Sequence, residues 1–203
     1  MFKKRGIIGI GLVIIIFLSF YFDYEIVKAL SLIRGEILNE IFIGVTFASS
    51  GVIIFFISTS LFLWKEHKRK YILPLWLTFL ASIVISSILK IIVQRQRPYQ
   101  LGLANSFPLL EKAAHLSWDF SFPSFQAMLA FSAIPILSKE FPKFKYFWIF
   151  FATLVVISRV YFGVHFASDV IIGAIIGYGI GWTILKLEDK NKFAEKFYRK
   201  IKK

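Results

Sequence analysis

The chain has 203 residues, 57% of them hydrophobic, no cysteine, a formal charge of +13 and a mean hydropathy of +0.69. So apolar a chain is not an ordinary soluble domain, and its length suits one domain, 1–203, rather than several. The absence of cysteine excludes disulfides, thiolate metal sites and cysteine nucleophiles.

The first apolar run, residues 6–22, follows a basic start (Lys3, Lys4, Arg5). It does not read as a signal peptide, because Phe20-Tyr21-Phe22-Asp23 offers no small-residue cleavage site. Uncharged runs of membrane-spanning length, about 17–25 residues, recur at 41–64, 71–89 and 120–138. Two shorter runs, 141–158 and 170–185, are interrupted at Arg159, His165 and Asp169. The pattern predicts an all-α integral membrane bundle of six transmembrane helices. No repeat, low-complexity tract or long linker divides it.

The charge is distributed unevenly. With six spans and a cytoplasmic N-terminus, 18 of the 25 Lys and Arg fall in cytoplasmic segments and 7 outside, whereas 5 acidic residues fall inside and 7 outside. The whole excess is then cytoplasmic, which is the bias that sets membrane orientation. This explains the basic composition without a nucleic-acid partner; anionic headgroups are sufficient. Both termini are expected in the cytoplasm of a multi-pass protein of the cytoplasmic (inner) membrane.

Three polar stretches stand at the ends of apolar runs, all on the outer side in this topology. The first is Lys90-x6-Arg97-Pro98. Seven residues are two helical turns, so both cations can lean toward one anion, with Pro98 ending the helix near Arg97. The competing reading is a snorkelling Lys90 and juxtamembrane arginines at 95 and 97. The second stretch is Phe122-Pro123-Ser124-Phe125-Gln126. Pro123 fits a first helical turn, with Ser121 as its cap. The free amides of that turn and the Ser124 hydroxyl can donate to a phosphate oxygen, though plain capping explains the pair as well.

The third stretch is Ser158-Arg159-x5-His165-x3-Asp169. His165 and Asp169 are spaced i, i+4, so the carboxylate can hold one ring nitrogen and leave the other as base or nucleophile. Ionisable groups at membrane depth mark function by default, and a structural Arg159–Asp169 salt bridge is the alternative. His67, in a basic cytoplasmic loop, reads as an ordinary solvated residue, and His115 is undecided between roles.

Together these stretches resemble the signature of the type 2 phosphatidic-acid phosphatase family, membrane lipid phosphatases that share a helical core with vanadium haloperoxidases. The family pattern is Lys-x6-Arg-Pro, then Pro-Ser-Gly-His, then Ser-Arg-x5-His-x3-Asp. The first and third parts match at every defined position, and the resemblance covers residues 71–185 by motif. It implies that His165 attacks phosphorus to form a phosphohistidine and that Asp169 orients it. It implies also that Lys90, Arg97, Arg159, Ser124 and the Phe125 amide hold the phosphate, with no cofactor and no metal. The implied partner is a phosphorylated membrane lipid: lipid A 1-phosphate, undecaprenyl pyrophosphate or phosphatidylglycerol phosphate.

The second part departs from the family. Phe125 replaces a glycine, which an amide donor tolerates. Gln126 replaces the histidine that protonates the leaving oxygen, and a glutamine cannot act as a general acid near neutral pH. Either a His-to-Gln replacement stalls turnover, which the intact remainder of the site favours, or the leaving group departs unaided. A pyrophosphate would suit the second case. A phosphotransferase and a non-catalytic phospholipid-binding protein are the alternatives.

Outside the motifs, residues 99–121 have room for an interfacial helix around 108–116, with Phe107, Trp118 and Phe120 as anchors. Gly173, Gly177 and Gly181 form a small-residue ridge for close packing within the bundle. The tail 186–203 carries Phe193, Phe197 and Ile201 on one stripe among lysines and reads as a helix lying on the cytoplasmic membrane face.

Overall fold

A computed structural model describes residues 2–105 and 120–201, with residues 2–8 and 201 by backbone alone. The expected interfacial helix around 108–116, with Phe107, His115 and Trp118, lies outside the described residues. The described chain contains nine α-helices and no strand. They are α1 (Phe2–Tyr21), α2 (Asp23–Leu32), α3 (Glu36–Ala48), α4 (Gly51–Leu63), α5 (Ile72–Val93), α6 (Phe125–Glu140), α7 (Lys145–Tyr161), α8 (Ala167–Asn191) and α9 (Phe193–Ile201).

Three stretches are long and apolar enough to cross a membrane: Glu66–Val93, Pro142–Tyr161 and Ala167–Asn191. The count rises to five if two bent pairs each act as one span. These pairs are α1–α2, bent by 68°, and α3–α4, bent by 63°. The run 41–64 is therefore not one straight helix. It breaks at Ser49-Ser50, where the Ser50 hydroxyl accepts from the Ile53 amide at 3.3 Å and restarts the chain as α4. The run 120–138 begins its helix only at Phe125. At 16 residues, α6 is about 24 Å long, short of a hydrocarbon core of about 30 Å.

Instead of facing outward, α6 lies at the centre. It packs against α4, α5, α7 and α8, and every residue from Ala127 to Leu137 is buried except the half-buried Phe131. Phe62, Leu75, Phe79 and Val155 close the core around Ile136. The outer helices reverse this distribution: Phe17, Phe56, Phe147 and Phe150 are exposed, as lipid-facing positions require.

The glycine ridge of α8 faces α6. A Cβ on Gly177 would overlap the Met128 carbonyl, one on Gly181 that of Ser132, and one on Gly173 would lie 2.7 Å from the Ser124 carbonyl oxygen. Here the absence of a side chain sets the approach of two backbones. Gly177→Ala should therefore cost about 1–3 kcal/mol, as overpacking does, read as a lower Tm in detergent. Gly179, with nothing within 4 Å of its would-be Cβ, is the control, and Gly179→Ala should be near neutral.

The bundle has two chemically distinct ends. At one, Lys68 pairs with Glu140 at 3.6 Å, Lys70 with Glu195 at 3.1 Å, and Lys139 with Asp189. The tail differs from the expected single segment, because residues 186–191 continue α8. Lys192 then turns in the left-handed region (φ 53°). The buried Glu188 carboxylate accepts the Ala194 and Glu195 amides at 2.8 and 3.2 Å, capping α9. At the opposite end, the C-termini of α5 and α7 meet the N-termini of α6 and α8. All three polar stretches are there.

Candidate active site

The first polar stretch leaves its helix earlier than its proline predicts. Helix α5 stops at Val93, capped by Gln94 in the left-handed region (φ 49°). Lys90 and Arg97 therefore do not share two turns of one helix face. The chain beyond Gln94 is held from both sides: Ser121 N donates to Arg95 O at 2.7 Å and Tyr99 N to Gly163 O at 3.1 Å. This brings Arg97 to the third stretch, where its Nη1 donates to Val164 O at 2.7 Å and lies 3.4 Å from His165 Nε2. The Lys90 ammonium donates to the Phe120 carbonyl.

The second stretch also starts its helix later than expected. Ser124 is the N-cap of α6, so Pro123 precedes the helix, after a cis Phe122–Pro123 peptide, and does not occupy the first turn. Ser121 is not the cap; its hydroxyl donates to Asp169 Oδ2. Ser124 N donates to Asp169 O at 3.1 Å, tying the start of α6 to the start of α8. The amides of Phe125 and Gln126 open the first turn of α6, where an α-helix has no acceptor of its own to offer. Gln126 is half-buried in that turn.

Between α7 and α8 the chain turns at Gly163 (φ 65°), where a Cβ would lie 2.6 Å from that of Ala104; only glycine suits both constraints. Val164 N and His165 N then donate to Arg159 O at 3.2 and 3.3 Å, which sets His165 over the end of α7. Asp169 is the third residue of α8. Its Oδ2 accepts Phe166 N at 2.7 Å, so the carboxylate reaches back to cap the start of α8.

His165 is buried, with Nδ1 2.7 Å from the Ser121 carbonyl oxygen and 3.7 Å from Asp169 Oδ2. A carbonyl only accepts, so Nδ1 carries the proton and Nε2 keeps its lone pair toward Arg97. Burial pushes the imidazole pKa down to about 3, with Arg97 and Lys90 adding to the shift and Asp169 opposing it. Tautomer and shift both favour the neutral ring, the form with a lone pair to offer.

Two further polar atoms converge on this end of the bundle. Ser124 Oγ and Arg159 Nε are buried and have no hydrogen-bond partner among the described residues. Ser124 is 0% and Arg159 5% exposed. Arg159 Nη1 lies 3.4 Å from Thr46 Oγ1, and Asp169 pairs with Arg95 at 2.7 Å rather than with Arg159. The alternative of an Arg159–Asp169 salt bridge is thereby overturned. Buried polar groups are as a rule satisfied, so an unsatisfied guanidinium nitrogen and hydroxyl at the end of the bundle that holds His165 are suited to an anion. Among the described residues no group of three or more His, Asp or Glu could hold a metal ion. His67 is exposed at the far end of the molecule.

The model of the PAP2 superfamily matches residues 71–193, which include all three polar stretches. The chain belongs to the PAP2 superfamily. It is 32% identical over 131 residues to undecaprenyl-diphosphatase of Sulfolobus acidocaldarius, a match spanning 64% of this chain and 61% of that protein, less than two thirds of its length. It is 32% identical over 185 residues to phosphatidylglycerophosphatase B of Bacillus subtilis, 84% of this chain and 85% of that protein. Two crystal structures share the fold. A transmembrane PAP2-type phosphatidylglycerolphosphate phosphatase from Bacillus subtilis superposes with a TM-score of 0.70 at 26% identity, covering 95% of this chain and 99% of that one. Aquifex aeolicus LpxE gives 0.66 at 30% identity, over 81% and 94%.

The motif spacing does not point to four residues that the structure brings to His165 and Asp169: Arg95, Ser121, Ser168 and Asp23. By spacing alone Arg95 reads as a juxtamembrane charge and Ser121 as a cap. A carboxylate closing an apolar run, as Asp23 does, is the one local signal available for the last of them.

Proposed function

We propose that this chain removes phosphate from a phosphorylated membrane lipid through a phosphohistidine on His165. The observation that carries the reading is His165 Nε2 facing Arg97, at the end of the bundle that also holds the unpartnered Ser124 Oγ and Arg159 Nε. Nε2 attacks phosphorus as the bond to the leaving oxygen breaks. Water then attacks the phosphohistidine, releasing phosphate and returning the neutral ring. Lys90, Arg97 and Arg159 hold the equatorial oxygens with Ser124 Oγ and the Phe125 amide, and stabilise charge as the phosphoryl group flattens. These cations supply what a metal ion would, so the reaction proceeds without one. Asp169 and the Ser121 carbonyl fix the ring.

Gln126, at the second position of α6, can donate a hydrogen bond to the leaving oxygen but no proton. This favours a lipid diphosphate, whose leaving phosphate needs little protonation, over a lipid monophosphate. The named activity of the Sulfolobus relative is consistent with that choice. As a site for lipid monophosphates, the chain is impaired.

The two bent pairs with α5, α6, α7 and α8 make six crossings, with the site external and both termini cytoplasmic. The basic residues support this orientation, since Lys68, Lys70 and Lys139 cluster at the end opposite His165. The test uses purified protein with EDTA, assayed on a long-chain prenyl diphosphate and on phosphatidic acid. Phosphate release is expected from the diphosphate, and an impermeant thiol reagent should label Leu103→Cys but not Lys68→Cys in intact cells. Release from neither lipid, even with Gln126→His, overturns the reading in favour of a phospholipid-binding protein. Labelling at Lys68→Cys alone reverses the orientation.

A further inference from the structure

The charge around Asp169 does not balance as the two-residue motif suggests. Asp169 lies 3.7 Å from His165 Nδ1, but its Oδ1 is bound at 2.7 Å by Arg95. A carboxylate paired to a guanidinium has little charge left to offer an imidazolium. Arg95, however, is shared. Its other nitrogen, Nη2, binds Asp23 Oδ2 at 2.7 Å, and Asp23 is 0% exposed. Ser168 ties the two carboxylates together. Its amide and hydroxyl donate to Asp23 at 2.9 and 2.5 Å, and its oxygen accepts from Arg95 Nη1 at 2.7 Å. The guanidinium lies 4.0 Å over the Phe166 ring, next in the chain to His165.

Asp23 stands at the 68° bend between α1 and α2, outside the stretch matched to the PAP2 superfamily. Its Oδ1 accepts the Ser168 amide, one of the free donors in the first turn of α8, but the pairing of its Oδ2 with Arg95 goes beyond what capping that turn requires. With Asp23 present, the triad Asp23–Arg95–Asp169 carries a net charge of −1. Without it the remaining pair is neutral.

We infer that Asp23 is a positioning residue for the reaction: through Arg95 it sets the aim of Asp169 and leaves the Asp23–Arg95–Asp169 group with a net negative charge on the Nδ1 side of His165, opposite the cations that face Nε2. That charge is needed when Nε2 bonds to phosphorus, because the ring, still protonated at Nδ1, then becomes cationic. The inference rests on the reading of His165 as the nucleophile.

The test is a double-mutant cycle in the full chain, with Gln126→His and without it, assayed on prenyl diphosphate and phosphatidic acid. Asp23→Asn should lower kcat by about 10- to 100-fold, the span of couplings within one charged network, and leave KM within about threefold. Adding Arg95→Gln to Asp23→Asn removes the cation that neutralises Asp169, restores the net charge of −1 there, and should recover part of the lost kcat. A merely structural Asp23 predicts the reverse, a double variant no better than Asp23→Asn. If Asp23→Asn is not monodisperse in detergent, Asp23→Ser, which leaves room for water beside Arg95, carries the same cycle. A parent that releases phosphate while Asp23→Asn keeps its kcat overturns the inference alone. Parent and Gln126→His protein that both release none overturn the phosphatase reading, and this inference with it.

Discussion

Replacing His165 with alanine should abolish phosphate release, by on the order of 10⁴-fold or more, because the displaced phosphoryl group then has no acceptor on the protein. The loss should appear in kcat on both lipid classes. The cations stay in place, so affinity for a phosphate-bearing lipid should change little. Folding should survive: the ring's protein partners are a backbone carbonyl, a carboxylate that is also held by Arg95 and the Phe166 amide, and Arg97, which is also held by the Val164 carbonyl. An alkaline detergent quench during turnover should trap a base-stable, acid-labile phosphoenzyme in the parent and none in His165→Ala. Release by a monodisperse His165→Ala protein at near-parental rate would falsify the nucleophile assignment. Asp169→Asn should be less severe in kcat, about 10²–10⁴-fold, as for a residue that orients an imidazole and stabilises its cation. It should also cost stability, because the same carboxylate caps α8.

Residues 90, 97, 124, 159, 165 and 169 could be picked out because each is a polar group at the edge of an apolar run, where composition alone marks it. Their spatial gathering at one end follows from four helix termini meeting there. What spacing could not supply is how each terminus ends. The seven-residue step from Lys90 to Arg97 matches two helical turns, but α5 gives way at Gln94, whose left-handed conformation no glycine or proline announces. The i, i+4 spacing of His165 and Asp169 suggested neighbours on a helix. The helix starts at Ala167, so His165 lies outside it, and Asp169 spends one oxygen on the cap.

The bends at Phe22 and at Ser49-Ser50 were hidden for the same reason. Both lie inside or beside apolar runs that contain no proline. The Asp23–Arg95 pair joins positions 72 residues apart, beyond the reach of any local pattern. Apolar runs report burial or lipid contact; they do not report where a helix is interrupted, because interruption costs only a few hydrogen bonds that a serine hydroxyl or a neighbouring carbonyl can restore.

Restoring the family histidine by Gln126→His should raise kcat on phosphatidic acid by roughly 10²–10⁴-fold, the usual worth of a positioned general acid. Position 126 is the second residue of α6, one position past the Phe125 amide assigned to the phosphate, which puts a donor there in the same helical turn as that amide. KM should change little, because the proton is needed only as the P–O bond breaks. On a prenyl diphosphate the gain should be much smaller, since the leaving phosphate monoester is already a weak base. A difference between the two substrates is the decisive quantity. Equal small gains would mean that Gln126 suffices for both, or that another side chain delivers the proton, and the preference for diphosphate would then have no basis in this residue. Equal large gains would mean that both leaving groups need an acid, and that the chain with Gln126 is impaired on each.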